Sequence, residues 1–158
     1  MYCRCAGLRD DNLTMTRESW HQGTYSHQWG TSPVLGVVWG LMGVRQTSPG
    51  FASFSVRPKL GALAHASLTL PTLRGYINVS VSAAGRLEVG VPCNTVATLC
   101  TPRASGDASA CTPTPRSHLL RLDGEEVAAV PSGGHLCAAA PVGCGVGGAP
   151  RVLSLHPR

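Results

Sequence analysis

Lysine is almost missing from this chain: Lys59 is the single one among 13 basic residues, and the others are arginines scattered one at a time. No run of basic residues forms an electrostatic footprint, so nucleic acid is excluded as an expected partner. Charge of both signs is sparse, at 13% of residues against 43% hydrophobic. That balance is enough for a core and argues against a chain disordered throughout. Long apolar runs are lacking too. The best one, Pro33 to Val44, is about a dozen residues with glycines at 36, 40 and 43, well short of the roughly 18 to 20 that a membrane span needs. A buried helix is expected there instead. The first residues, MYCRCAGLRDDN, carry acids at Asp10 and Asp11 and no apolar core of a signal peptide. The protein is therefore expected either to stay inside or to lack its true start.

With 158 residues, the chain is sized for one medium domain, or for a small domain carrying a fragment of another. Seven cysteines (Cys3, Cys5, Cys93, Cys100, Cys111, Cys137, Cys144) are many for a reducing compartment, and an odd number leaves one unpaired in an oxidising one. Their spacings match no zinc site. Buried free cysteines packing as small hydrophobes are expected. Two sequons, at Asn12 and Asn78, point toward secretion, although such triplets arise often by chance.

Read in order, residues 1 to 13 have no periodicity, and Thr14 to Thr31 is polar with turn chemistry, the kind of segment that displays catalytic groups. Ser32-Pro33 opens a helix, with Ser32 as the cap and proline at the first position, where it has no N–H to lose. The following VLGVVWGLMGV is apolar on nearly every side and needs neighbours all around it, with Trp39 expected in a core. Each of Gly36, Gly40 and Gly43 lowers helicity by roughly 1 kcal/mol relative to alanine. Their spacing predicts one smooth strip along which another helix approaches, yet helices able to surround this one are not in the sequence.

From Ala52 the period changes to two. Phe54 and Val56, then Leu68, Leu70 and Leu73, alternate with polar or small residues, and Tyr76 to Ser82 does so clearly. Arg86 to Val91 repeats the pattern after an Ala84-Gly85 turn, so residues 73 to 91 read as a hairpin. Thr95 to Thr101 is a further strand, stopped by Pro102. Residues 103 to 117 read as an exposed loop or insertion. Leu119 to Leu122, the Asp123-Gly124 turn and Val127 to Val130 make another hairpin. Gly133 to Gly148 is expected to be weakly ordered, ahead of a last strand at Val152 to Leu155. The fold class is mainly β, an antiparallel β-sandwich over 52 to 158, without internal repeats.

Five short motifs stand in a telling order: TMTRESW (14–20), SHQWGTSP (26–33), VRQTSPGF (44–51), FSVRP (54–58) and GYINV (75–79). Together they resemble the C-terminal part of bacterial-type α-L-rhamnosidases, the inverting glycoside hydrolase family 78. The resemblance covers roughly residues 14 to 100. It implies that residues 1 to 50 are the last helical element of a truncated (α/α)6 barrel, preceding the sandwich. It also implies that Glu18 is the general base that activates water, and that His27, Trp29 and Trp20 line the sugar subsite. Arg17 stands where the family carries an apolar or aromatic residue.

The chemistry of inversion sets a further condition. One carboxyl group protonates the leaving oxygen while an ionised one activates water, the two lying about 6.5 to 9.5 Å apart. Glu18 supplies one of them. The other acids (Asp10, Asp11, Glu88, Asp107, Asp123, Glu125, Glu126) lie in scaffold or in the unpatterned lead-in, and the resemblance implies that the general acid comes from an upstream region. The expected partners are a rhamnose-containing glycoside and the missing barrel; no metal and no cofactor is implied, and the chain alone is expected to be inactive. His21 reads as a loop histidine, and His65, His118, His135 and His156 show no metal-like grouping and receive no role. Read without the resemblance, Glu18 is a surface acid, His27 a loop histidine, Trp20 and Trp29 core aromatics. The alternative is then a non-catalytic β-sandwich that binds or supports carbohydrate or protein.

Overall fold

A computed structural model describes residues 24–102 and 118–157, with the backbone alone at 29, 118, 119 and 155–157. A short helical arm comes first: a 3-10 turn at Gln28–Thr31, helix α1 at Ser32–Leu35, and a π-helical turn at Gly36–Leu41. Met42 N–H donates to the Val37 carbonyl at 2.9 Å, a five-residue step that marks the wide turn. The cap is Thr31, not Ser32, because the 3-10 turn has already bent the chain into helical geometry. The arm stops at Gly43, whose φ of +63° suits glycine.

Among the described residues eleven strands follow: β1 (Val44–Gln46), β2 (Ser53–Val56), β3 (His65–Thr72), β4 (Gly75–Ser82), β5 (Arg86–Gly90), β6 (Val96–Pro102), β7 (His118–Leu122), β8 (Glu125–Val127), β9 (Ala129–Ser132), β10 (His135–Ala138) and β11 (Arg151–Pro157). They form two sheets, in the orders β1-β2-β6-β10-β9 and β3-β4-β5-β11-β7-β8. Every pairing is antiparallel except β2 with β6. The alternation within strands decides which residues face inward. Ile77, Val79 and Val81 of β4, Leu87 and Val89 of β5, and Leu153 of β11 point from one sheet toward Phe54, Val56, Ala97 and Leu99 of the other. All belong to one buried cluster, so this is a two-layer β-sandwich.

The predicted hairpin is present as β4–β5, with Gly85 N–H closing the turn onto Ser82 O at 3.0 Å. Leu73 belongs to the preceding β3–β4 turn and is almost fully exposed, not a strand residue. Asp123-Gly124 does turn the chain between β7 and β8. Val127 and Val130, read as one strand, fall on β8 and β9 in different sheets. Pro102 ends β6 as a paired residue opposite His135. The Gly- and Ala-rich stretch expected to be weakly ordered contains β10, which lies inside its sheet and contributes buried His135, Cys137 and Ala138. Neighbours on both edges order it, which composition does not reveal. The loop read at 103 to 117 lies outside the described residues.

Cys100 and Cys137 sit directly opposite each other on β6 and β10 and are joined by a disulfide. The expectation of free buried thiols fails at this pair, because the strand register brings both sulfurs to the same face. No helix among the described residues is long and apolar enough to cross a membrane.

Candidate functional site

The arm positions the one predicted site residue whose side chain is described. His27 immediately precedes the 3-10 turn, and its Nδ1 lies 2.7 Å from the Thr24 hydroxyl. That hydrogen bond orients the imidazole, and Gly30 N–H donates to the His27 carbonyl at 3.1 Å, which fixes its backbone to the turn. Trp29 lies on the turn itself, two residues further on. Glu18 and Trp20 lie outside the described residues, as does His21.

The arm differs from the expected buried helix. Val38 and Met42 face the core, whereas Val34, Leu35, Val37 and Trp39 are exposed. Trp39 is 48% exposed and is covered on one side by the Arg45 guanidinium, 5.7 Å from the ring centroid. The expectation of a core tryptophan is therefore wrong for this chain: the sandwich occupies only one side of the arm. Gly36 and Gly40 also face open space, with nothing within 4 Å of an added Cβ. Gly43 is a different case, since a Cβ there would meet the Arg57 carbonyl oxygen at 1.9 Å.

The segment after β2 fastens the arm to the sandwich. Arg57 N–H donates to Gly43 O at 3.1 Å, and Lys59 N–H donates to Leu41 O at 2.7 Å. The Arg57 guanidinium reaches the β9–β10 turn, donating to Ser132 O at 2.7 Å and to its hydroxyl at 3.0 Å. Buried His135 joins the same junction, with Nε2 2.8 Å from Pro58 O and Nδ1 3.2 Å from Gly133 O. Sequence reasoning gave His135 no role. No local pattern marks it, because its principal partner is 77 residues away.

Two of the described acids, Glu88 and Asp123, serve the scaffold. Glu88 pairs with Arg86 at 2.5 Å. Asp123 accepts Val152 N–H at 2.8 Å, and its other oxygen is 2.8 Å from Arg151 Nε, a charge contact without hydrogen-bond alignment. An open groove of about 340 Å³ crosses the outer face of β3 to β5, lined by Thr69, Asn78, Ser80, Glu88 and Gly90 among others. Among the described residues no cluster of His, Cys, Asp and Glu is grouped to hold a metal ion.

A second cysteine pair also escaped the sequence reading. Cys93 Sγ and Cys144 Sγ lie 2.8 Å apart. Each of these cysteines stands seven positions outward from a member of the disulfide, but register alone does not pair them, because Ala97 already faces Val142 and not Ala140.

Residues 43–112 match the family model described as the bacterial alpha-L-rhamnosidase C-terminal domain. Among solved structures the chain is similar to alpha-L-rhamnosidase from Dictyoglumus thermophilum, at 16% identity and a TM-score of 0.63 over 88% of this chain. It spans 16% of that enzyme's length. No curated protein sequence matches the chain.

Proposed function

Residues 43–112 match the bacterial alpha-L-rhamnosidase C-terminal domain, and we propose that the chain is the C-terminal portion of an inverting glycoside hydrolase that cleaves terminal α-L-rhamnosides. The observation that carries this reading is the apolar arm, which runs directly into that domain with Val34, Leu35, Val37 and Trp39 unburied. A contiguous exposed apolar face marks an interaction surface. In this reading its occupant is the rest of an (α/α)6 barrel ending in this arm.

In the reaction, Glu18 as carboxylate takes a proton from water, and the oxygen of that water attacks the anomeric carbon. The bond to the leaving oxygen breaks on the opposite face, and a carboxylic acid from the barrel protonates that oxygen. One displacement inverts the anomeric centre. His27 hydrogen-bonds the sugar, its ring plane set by Thr24, and Trp29 and Trp20 pack against the sugar's apolar faces. No cofactor takes part. The chain alone lacks the general acid and does not turn over.

The test is hydrolysis of an aryl α-L-rhamnoside by a protein extended to include the barrel. Glu18→Gln should lower kcat by about 10²- to 10⁴-fold, the usual contribution of a general base. Undiminished turnover would remove Glu18 from that role, and turnover by the chain alone would show that it holds its own acid. The open groove on β3 to β5, where Thr69, Asn78, Ser80 and Glu88 stand beside Leu68, Val79 and Pro150, supports a second reading, a non-catalytic carbohydrate-binding sandwich. Titration of rhamno-oligosaccharides against the chain and its Asn78→Ala variant tests it, and saturable binding lost in the variant is required.

A further inference from the structure

Cys93 lies in the connection from β5 to β6, where the chain passes from the six-stranded sheet to the five-stranded one. Cys144 lies in the connection from β10 to β11, where it passes back. The Sγ–Sγ separation of 2.8 Å is within 1 Å of the roughly 2.0 Å of a covalent disulfide. The disulfide joins β6 to β10, and past the end of β10 the chain shifts by two positions and pairs again, where Ala97 and Val142 exchange two backbone hydrogen bonds of 2.8 Å.

The turn carrying Cys93 is held both from outside and from within. Arg74 Nη1 donates to Asn94 O at 3.0 Å, and Thr95 N–H donates to Pro92 O at 3.2 Å. On the other side Gly145 is buried, and a Cβ there would lie 2.3 Å from Ala149 O, so this loop folds tightly on itself. Backbone contacts therefore preorganise the two thiols. Cys93 is exposed and Cys144 half-buried, so a small reagent reaches Cys93 first.

We propose that Cys93 and Cys144 form a redox modification site, a dithiol that a small-molecule disulfide converts into the second cross-link of this domain. The Cys93 thiolate attacks one sulfur of the reagent, breaking its S–S bond. One thiolate leaves and takes up a proton. The Cys144 thiolate then attacks Cys93 Sγ in the mixed disulfide, forming the Cys93–Cys144 bond and expelling the second thiol. Two protein S–H groups and one reagent disulfide become one protein disulfide and two reagent thiols, so no further oxidant is needed. The product ties together the two connections that cross between the sheets.

Hydrogen bonding with Cys144, then the charge of Cys144, then slight desolvation push the Cys93 thiol above the ordinary cysteine range. The thiolate is the attacking species, so exchange accelerates as pH rises through that raised value.

The experiment uses the full chain with Cys3, Cys5 and Cys111 replaced by serine, equilibrated with oxidised and reduced glutathione, quenched with N-ethylmaleimide and mapped by mass spectrometry. A peptide joining Cys93 to Cys144 is expected. Its formation should raise Tm on the order of 10 °C, because the bond closes a further loop. Cys144→Ser should accumulate glutathione on Cys93, and Cys93→Ser should lose the Tm rise while keeping the β-rich circular dichroism spectrum of the parent. Full alkylation of both cysteines in oxidised glutathione would overturn the proposal, as would a persistent glutathione adduct on Cys93 while Cys144 is present.

Discussion

The sequence presents Gly36, Gly40 and Gly43 as one strip of small residues, whereas the structure splits them into two kinds. Gly43 has φ +63° and its hypothetical Cβ lies 1.9 Å from the Arg57 carbonyl oxygen. In Gly43→Ala, left-handed backbone costs about 1 to 2 kcal/mol for an L-residue. Displacing the Arg57 backbone costs a further 1 to 3 kcal/mol or so, as overpacking does. The displaced group is backbone, and it also makes the Arg57 N–H to Gly43 O bond, so it has little room to yield. A total loss of roughly 2 to 5 kcal/mol is expected, a large fraction of the ~5 to 15 kcal/mol that holds a domain together. Gly36→Ala and Gly40→Ala meet nothing within 4 Å and sit in helical backbone, so each should raise stability by about 0.5 to 1 kcal/mol. Urea denaturation followed by tryptophan fluorescence measures all three, with the midpoint shifting at constant slope. A Gly43→Ala midpoint equal to the parent's, or shifts of one sign in all three variants, would refute the reasoning. In a protein extended by the barrel, a Gly36→Ala or Gly40→Ala that turns destabilising would place a neighbouring helix on that side of the arm.

Two more outcomes follow from the junction and the arm. His135→Leu removes the donor to the buried Pro58 carbonyl; a loss of roughly 1 to 3 kcal/mol in chemical denaturation is expected, and an unchanged midpoint would show that water replaces the imidazole. Trp39→Ala should cost under about 1 kcal/mol in the chain alone, where the residue is 48% exposed and stacks on the Arg45 guanidinium. In the barrel-extended protein the same change should cost about 3 to 5 kcal/mol, the loss typical of a buried tryptophan; equal effects in both would mean that the arm is not covered.

The motifs behind the family resemblance divide by the work their residues do. VRQTSPGF builds β1 and the turn into β2, where Ser53 N–H donates to the Ser48 hydroxyl at 2.6 Å and Ser53 O accepts Thr47 N–H at 2.9 Å. FSVRP buries Phe54 and Val56 and turns Arg57 and Pro58 toward the β9–β10 turn and His135. GYINV is the first five residues of β4. These three explain why a domain is legible from short motifs: each is a local solution to a turn, a core face or a close approach. The other two motifs bear on the proposed chemistry. Of their site residues the structure orients His27 and places the backbone of Trp29, while Glu18 and Trp20 lie outside the described residues.

By itself the sequence determined what depends on near neighbours. Two-residue alternation specifies the strands Tyr76 to Ser82 and Arg86 to Val91, because successive side chains on a strand face opposite ways. Glycine beside aspartate specifies the β7–β8 turn, where Asp123 and Gly124 both adopt positive φ. Proline after serine announces the helix. Tertiary structure decided what depends on distant partners: the parallel pairing of β2 with β6, the insertion of β11 between β5 and β7, and the Cys100–Cys137 bond. It also decided that β10 is ordered, that His135 anchors the junction, and that of Gly36, Gly40 and Gly43 only the last has no room for a Cβ. Periodicity records which way a side chain points and not what it meets. The arm shows that difference most directly, because its apolar sequence states a need for neighbours that the sandwich meets on one side only.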